Sequence, residues 1–488
     1  MCKISLLILF FLAGLCGSAH SQTDFLDASF GNNGIDLTHI GLSNDNGTSV
    51  SIITQSDNKI IVGGNAAGQG RVIRYNTNGS IDSTFAINGI FSTTETGVGV
   101  IRLLTDSKII IGGSGNIIKL NNDGSLDYSF GTAGISANIG INIASVVAQP
   151  DNRILVTGTY GTTIGLGRFL SNGTIDSSFG TNGLATCAGN EAHGVSLTTD
   201  GRIVIGALSY DYSFMAARFL TNGLPDTSFN HSGIASVFAG EDNNYCHAME
   251  LQPDDKIILA GSGTFGSSGS DFTLVRFNVD GTLDRSFGDT GVAHTDILGN
   301  DDEIRDISLS VDGKIVAGGQ AIVAANPDFA VARFTAAGKV DSIFGNYGSI
   351  ATSVQGYGDF GTALTIQQDG KILLCGNSAI GKYPDNFSEI AIVRYINTPL
   401  SIDKVTKFDQ PIILFPNPFV QYITIKSEYA DKIRNIIVTD VNGGNVPINM
   451  IGKDRILLPY STIEGNYLFK IILENNISYS QVMQYRRS

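Results

Sequence analysis

The sequence predicts an all-β protein, a seven-bladed β-propeller followed by a small C-terminal β-sandwich. Three observations carry this expectation. Three short motifs recur seven times along residues 25–396, spaced 45 to 61 residues apart. Each repeat reads as four short strands, and no segment sustains a helical period. After Arg394 the repeats stop and the composition changes.

The 488-residue chain holds 59 Gly, no Trp and a formal charge of −14. Its 42% hydrophobic content is ample for a packed core and excludes wholesale disorder. The acidic balance argues against nucleic acid as the main partner, because phosphate binding needs a basic face.

Residues 1–21 read as a secretory signal. Lys3 gives the positive start, Ile4 to Leu15 the short apolar stretch, and Ala19-His20-Ser21 a cleavage site before Gln22. A lipoprotein reading centres on Cys16, but Leu15 stands where a small residue is wanted. No later stretch of about 18 apolar residues appears, so no transmembrane span is expected. Beyond the signal, Cys187, Cys246 and Cys375 are odd in number and widely spaced. They read as buried small hydrophobes rather than a metal knuckle, with one Cys187–Cys246 bridge left open.

The first motif is a D-x-[ST]-F turn, beginning at Asp27, Asp82, Asp127, Asp176, Asp226, Asp284 and Asp341. The last of these has Ile343 in the Ser/Thr place. The second is a D-x-[KR]-I hairpin with Lys59, Lys108, Arg153, Arg202, Lys256, Lys314 and Lys371. The third sets Arg74, Lys119, Arg168, Arg218, Arg276, Arg333 or Arg394 before an apolar residue. A period of this size means blades, coils or arrays.

In the unit 233–287, Gly233–Ala239 reads as a first strand. His247, Met249 and Leu251 then alternate on one face, followed by Lys256–Ala260 and Phe272–Phe277. Four strands in each of seven units fit a propeller. The ends support closure, because Phe25–Gly31 is the end of a repeat and Arg394-Tyr395 leaves one unfinished. A closed ring removes exposed strand edges. The competing architecture, an open β-solenoid, gives no reason for complementary ends.

The units resemble delta-60 repeats. The residues that carry this are Leu283-Asp284-Arg285-Ser286-Phe287-Gly288, Gln368-Asp369-Gly370-Lys371-Ile372 and Ala332-Arg333-Phe334. The second copy departs from the pattern, with Phe85-Ala86 for Phe-Gly. The resemblance covers residues 25–396 and implies propeller blades without a known catalytic activity.

Residues 397–411 read as a linker, and 412–488 as a module with 8 basic and 6 acidic residues. Strands are expected at Tyr422–Lys426, Ile436–Thr439, Tyr467–Leu473 and Ser480–Tyr485, with a turn at Asn442-Gly443-Gly444, in a seven-strand sandwich. This module resembles the C-terminal sorting domain of the type IX secretion system of Bacteroidetes-like bacteria. The carrying residues are Phe415-Pro416-Asn417-Pro418-Phe419, Val438 to Gly443, Glu464-Gly465-Asn466-Tyr467 and the terminal Arg486-Arg487, with Gln481 where a Lys is often found. The resemblance implies that 412–488 engages the type IX machinery, giving passage across the outer membrane and then release or surface attachment. The competing reading is an ordinary β-sandwich carrying ligands.

The recurring charges read first as turn and blade-to-blade contacts, since Asp caps turns and each residue is needed once per blade. Asn121-Asn122-Asp123-Gly124 and Asn278-Val279-Asp280-Gly281 read as turns, lacking the spaced carboxylates of a calcium loop. No G-x-S-x-G, H-E-x-x-H, Walker or Rossmann motif stands in a suitable context, so no catalytic residue, cofactor or metal is expected.

The motif turns fall on one face of the predicted ring. The variable loops fall on the other, with Tyr160, Tyr210-Asp211-Tyr212, Glu241 to Tyr245, Asp301-Asp302-Glu303, Tyr357 to Phe360 and Tyr383 to Phe387. Such loops are where binding usually resides. His193 and His247 stand nine residues before their basic hairpin residue, and Arg305 takes that position in the next unit. These three are the candidate ligand-binding residues, a polar patch in the mouth of the ring. The competing reading has them cap the apolar stripe and bond to loops.

The functional expectation is a non-enzymatic binding or scaffold protein, secreted or on the bacterial outer surface, with an extracellular glycan or protein as ligand. A secreted polysaccharide hydrolase or lyase is the alternative and would need a carboxylate pair on the loop face. A purely structural surface-layer protein is the third reading.

Overall fold

A computed structural model describes residues 25–39 and 48–397, apart from 243, 267–268, 324–325 and 381–386. In the C-terminal part it describes 413–415, 422–426, 433–439, 446–451, 455–458, 465–473 and 478–485. The expected signal (1–21), nearly all of the expected linker, the Asn442–Gly444 turn, Pro416–Phe419 and Arg486-Arg487 lie outside the described residues. The chain divides into two units, Met1–Pro399 and Leu400–Ser488.

Among the described residues, the first unit holds seven antiparallel sheets. Sheet 1 comprises Thr48–Thr54, Ile60–Ala66, Gln69–Tyr75 and Ile90–Thr93. Sheet 2 has Val100–Leu103, Ile109–Gly112 and Ile117–Leu120. Sheet 3 has Asn142–Ala148, Ile154–Tyr160, Thr163–Phe169 and Leu184–Cys187. Sheet 4 has Glu191–Leu197, Ile203–Leu208, Phe214–Phe219 and Ile234–Val237. Sheet 5 has Tyr245–Leu251, Ile257–Thr264, Ser270–Phe277 and Val292–Thr295. Sheet 6 has Asp302–Leu309, Ile315–Val323, Asn326–Phe334 and Ser349–Thr352. Sheet 7 has Asp359–Ile366, Ile372–Ile380, Phe387–Tyr395 and the N-terminal Ile35–Thr38.

The N-terminal strand thus completes the last sheet, pairing Ile35 with Val393 and Thr38 with Ile390. The strand boundaries correct one expectation. Ile234–Val237, read as the first strand of the unit 233–287, pairs with Phe214–Phe219 and is the fourth strand of the sheet before. Sheet 2 also has three strands where four were expected; there Ile135 forms only a single bridge to Ile118.

Neighbouring sheets pack face to face. Ile258, Phe272 and Leu274 of sheet 5 share one apolar cluster with Ile304, Ile315 and Ala317 of sheet 6. Ile60, Val62 and Ile73 of sheet 1 likewise pack with Leu373, Ile390 and Ile392 of sheet 7. With both faces covered, the second and third strands are largely buried rather than alternating; every residue of Ile203–Leu208 and Phe214–Phe219 is buried. The first strands contact one another in chain order, and that of sheet 7 contacts that of sheet 1.

The first strands share an irregularity. In six sheets the pairing with the second strand slips by one residue, skipping Val50, Ala144, His193, His247, Arg305 and Thr362. These are β-bulges, which bend a strand and re-aim the skipped side chain. The slip interrupts the expected alternation of His247, Met249 and Leu251. Met249 and Leu251 pack against the core around Leu259, while Glu250 joins His247 in lining the cavity described below.

The second unit has a four-stranded sheet (Ile413–Phe415, Tyr422–Lys426, Asn449–Ile451, Arg455–Leu457) and a three-stranded one (Ile433–Thr439, Gly465–Leu473, Ser478–Tyr485). One cluster, with Ile423, Ile425, Val438, Ile456, Phe469 and Ile471, draws on both sheets.

Candidate functional site

The three repeated motifs meet at one carboxylate in each sheet. Asp82 accepts Arg74 Nε at 2.7 Å from the third strand and Lys59 Nζ at 2.8 Å from the hairpin. Its other oxygen caps its own turn through the Thr84 hydroxyl at 2.6 Å. Arg74 stacks over Phe85, 4.8 Å from the ring centre, and Nη1 donates to the Asn122 carbonyl of the next repeat at 2.6 Å. The same carbonyl bond joins Arg168 to Thr221, Arg276 to Ala336 and Arg394 to Thr77.

Burial opposes charge on these aspartates, but their hydrogen bonds and cations outweigh it. The carboxyls of Asp27 and Asp127 are held down at about 2, and those of Asp82 and Asp284 also lie well below the usual range. The motif charges are therefore fasteners within and between sheets. In sheet 2, Lys119 replaces the Arg and sits 3.8 Å from Asp127.

The first strands of all seven sheets line a cavity of about 750 Å³. His193, His247 and Arg305 line it together, each the bulged residue of its strand. His193 and His247 meet edge to face at 5.6 Å. His247 Nε2 lies 2.5 Å from Glu303 Oε1, and Arg305 Nη2 donates to Glu303 Oε2 at 2.7 Å. Gln320 Nε2 donates to the same oxygen at 3.2 Å. Burial holds the His193 imidazole down at about 3, so it is neutral at physiological pH. Burial works against the Glu303 charge, but His247 and Arg305 keep that carboxyl below its ordinary range.

Aromatic rings continue the patch outward. Tyr245 lies parallel to His247 at 6.1 Å and meets Tyr212 edge to face at 5.9 Å. Tyr210, Tyr212 and Tyr357 on loops, and Tyr160 at a strand end, are exposed on the same side. Tyr210 reaches the neighbouring loop, donating to the Thr162 carbonyl at 2.6 Å.

Sequence reasoning placed Glu303 on a variable loop but did not show that it joins His247 to Arg305, and it missed three charges that line the cavity further along the strands: Arg102, Glu250 and Asp306. Asp306 accepts N–H groups from Ile307 at 2.9 Å and from Leu364 of the next sheet at 2.7 Å. Ser51 and Ser145 accept the corresponding N–H groups of Ile101 and Val195, each at 3.2 Å. In each case the side chain just after a bulge bonds an N–H group on the first strand of the next sheet.

A second polar group lies between sheets 5 and 6. Asp271 Oδ2 lies 2.9 Å from His294 Nδ1, and Phe265 stacks on His294 at 3.8 Å. Asp302, fully buried, accepts the Ile297 N–H. Burial, together with Asp296, Asp271 and Asp301, pushes the Asp302 carboxyl up to about 8. Among the described residues, no group of three or more His, Cys, Asp or Glu is placed to hold a metal ion. Cys187, Cys246 and Cys375 form no disulfide, so the bridge left open by the sequence is not made. Among the described residues no helix is long and apolar enough to cross a membrane.

Repeated sheets of this kind define a β-propeller repeat protein. A family model described as "Domain of unknown function (DUF5122) beta-propeller" matches residues 55–85, 104–130, 149–179, 198–229, 252–287 and 312–344. No curated protein matches the chain.

Solved structures with a similar fold include virginiamycin B lyase from Staphylococcus aureus, at 12% identity and a TM-score of 0.46, covering 74% of this chain and 99% of that one. Another is the extracellular domain of the putative hybrid two component system BT4673 from B. thetaiotaomicron, at 10% identity and a TM-score of 0.42, covering 93% of this chain and 59% of that one. A third is the aldose sugar dehydrogenase from Streptomyces coelicolor, at 10% identity and a TM-score of 0.37, covering 60% of this chain and 93% of that one. At such identities the likeness carries nothing about activity.

Proposed function

We propose that the chain is a secreted or cell-surface, non-enzymatic binding protein. In this reading the seven sheets are the blades of a closed seven-bladed propeller of delta-60 repeats. Residues 1–21 direct export, and 412–488 form a β-sandwich that engages the type IX machinery. The ligand site is the cavity mouth on the variable-loop side. One observation carries this: the bulges of three successive first strands turn His193, His247 and Arg305 into a single cavity beside exposed tyrosines. The bulge recurs with Val50, Ala144 and Thr362 in other sheets, so the polar side chains carried by three successive bulges, rather than the bulge itself, favour a site. Mixed donors and acceptors beside aromatic rings suit a polar extracellular ligand such as a glycan.

The second reading is a polysaccharide hydrolase or lyase, favoured by the 2.5 Å approach of His247 Nε2 to Glu303 Oε1, which sets an imidazole beside a carboxylate. Incubating the intact protein with extracellular oligosaccharides separates the two. Retention without new products fits the binding protein; cleavage that His247→Ala abolishes fits the enzyme. Export is tested by fractionation with intact-mass measurement, comparing the full chain with a 412–488 deletion. Surface or medium delivery that requires 412–488, followed by its removal, is expected. Equal accumulation of both forms with intact C-termini would remove the sorting reading.

A further inference from the structure

The cations of the cavity are already occupied. Arg305 is bound to Glu303, and Arg102 Nε donates to the Val146 carbonyl at 3.1 Å. The anions are not equally placed. Asp306 gives its two oxygens to two N–H groups. Glu250 is half-buried on the same wall, and its carboxylate makes no hydrogen bond or ion pair among the described residues. It feels Arg102 across the cavity and Asp306 beside it only through charge.

Of the charged groups that line the cavity, three are carboxylates (Glu191, Glu250, Asp306) and two are guanidinium groups (Arg102, Arg305). Glu303 matches Arg305, so the remaining field is negative. A narrow site with one sign of charge concentrates ligands of the other sign. What Glu250 lacks is a charge-assisted donor, and a desolvated carboxylate gains more from one than an exposed carboxylate does.

Resting on the cavity as the ligand site, we infer that it takes a ligand bearing a primary ammonium group, which is received by Glu250 below the His193–His247–Glu303–Arg305 patch. The hydroxyls of Ser196, Ser308 and Thr365 line the same cavity and can accept the remaining ammonium protons. Amino sugars and aliphatic polyamines share this chemistry. Burial, with the Asp306 charge, pushes the Glu250 carboxyl up to about 7 against the pull of Arg102, and an incoming ammonium reverses that shift.

The test is calorimetric titration of the intact protein and of Glu250→Gln with three probes: glucosamine tetramer, its fully N-acetylated form, and spermidine. The glucosamine tetramer, spermidine or both should bind at least tenfold more tightly than the acetylated tetramer. Glu250→Gln should remove that preference at an unchanged melting temperature. Binding of glucosamine alone assigns an amino sugar, and of spermidine alone a polyamine. Equal affinity for the acetylated tetramer, or amine affinity unchanged in Glu250→Gln, overturns the inference. Acetylated-tetramer binding that depends on Arg305 but not Glu250 leaves the mouth as the site and removes only the ammonium. No binding of any probe overturns the inference, while other glycans still test the mouth.

Discussion

Arg394 Nη1 donates to the Thr77 carbonyl at 2.6 Å across 317 residues of chain. The same guanidinium holds Asp27 Oδ2 at 2.9 Å through Nε and stacks over Phe30 at 4.6 Å. One buried side chain in sheet 7 therefore ties the N-terminal turn to itself and to the repeat of sheet 1. Removing one partner of a buried ion pair is costly because the other charge stays behind. Arg394→Met should lower unfolding stability by about 3–5 kcal/mol. Arg394→Lys should recover only part of this, since a point charge cannot reach Asp27, Thr77 and Phe30 together. Urea unfolding measures both; a loss near zero for Arg394→Met would mean that this junction does not hold the first unit together.

Ala86 stands at φ 45°, where the equivalent residues Gly31, Gly131, Gly180, Gly288 and Gly345 stand between 51° and 55°. An L side chain in this region costs roughly 1–2 kcal/mol. Ala86→Gly should therefore stabilise by about 1 kcal/mol, less than the full strain because Gly also frees the unfolded chain. The reverse change, Gly131→Ala, would place a Cβ 1.8 Å from the Ile135 carbonyl oxygen and should destabilise by more. Thermal unfolding of the two variants against the parent checks the signs.

The aspartates set opposite pH limits. Asp27 and Asp127 have folded values near 2, below the ordinary carboxylate value of about 4. Their stabilisation is complete above about pH 4 and is lost as pH falls towards 2. Burial, with the charges of Asp296, Asp271 and Asp301, raises Asp302 to about 8, and burial raises Asp306 to about 6 against the pull of Arg102. Between about pH 4 and these values the folded chain binds more protons than the unfolded one, so stability falls as pH rises. The melting temperature should peak in the weakly acidic range, and Asp302→Asn should flatten the decline up to pH 8. A decline that Asp302→Asn leaves untouched would assign it to other groups.

Cys246 and Cys375 are fully buried, and burial pushes the Cys187 and Cys246 thiols up to about 12. Thiolate is the reactive form, so native protein at pH 8 should resist iodoacetamide at these three sites. Unfolding without reductant should expose all three. Intact mass counts the adducts, and only one adduct among them after unfolding would show a bridge that the structure does not make.

The repeated parts of the fold were legible because repetition names them. Arg74, Asp82, Phe85 and Lys59 stand in the same order seven times over, and the structure brings them to one point. The strand boundary was misplaced because Ile234–Val237 follows a motif turn, as the start of a unit would. His193, His247 and Arg305 were found by shared register, but not why they converge. Their bulge has no chemical signature, since Val50, Ala144 and Thr362 occupy it equally well. Glu250 was hidden for the same reason: strict alternation turns it away from His247, and only the slipped pairing between Cys246 and Ala248 puts both on the cavity.

The most direct test of the cavity mouth as the ligand site is binding of the intact protein to an array of extracellular glycans, compared with His247→Ala and Arg305→Ala. The account predicts selective binding that falls at least tenfold in both variants while their melting temperatures stay within a few degrees of the parent. Selective binding that both variants retain in full would contradict it and move the ligand to another surface.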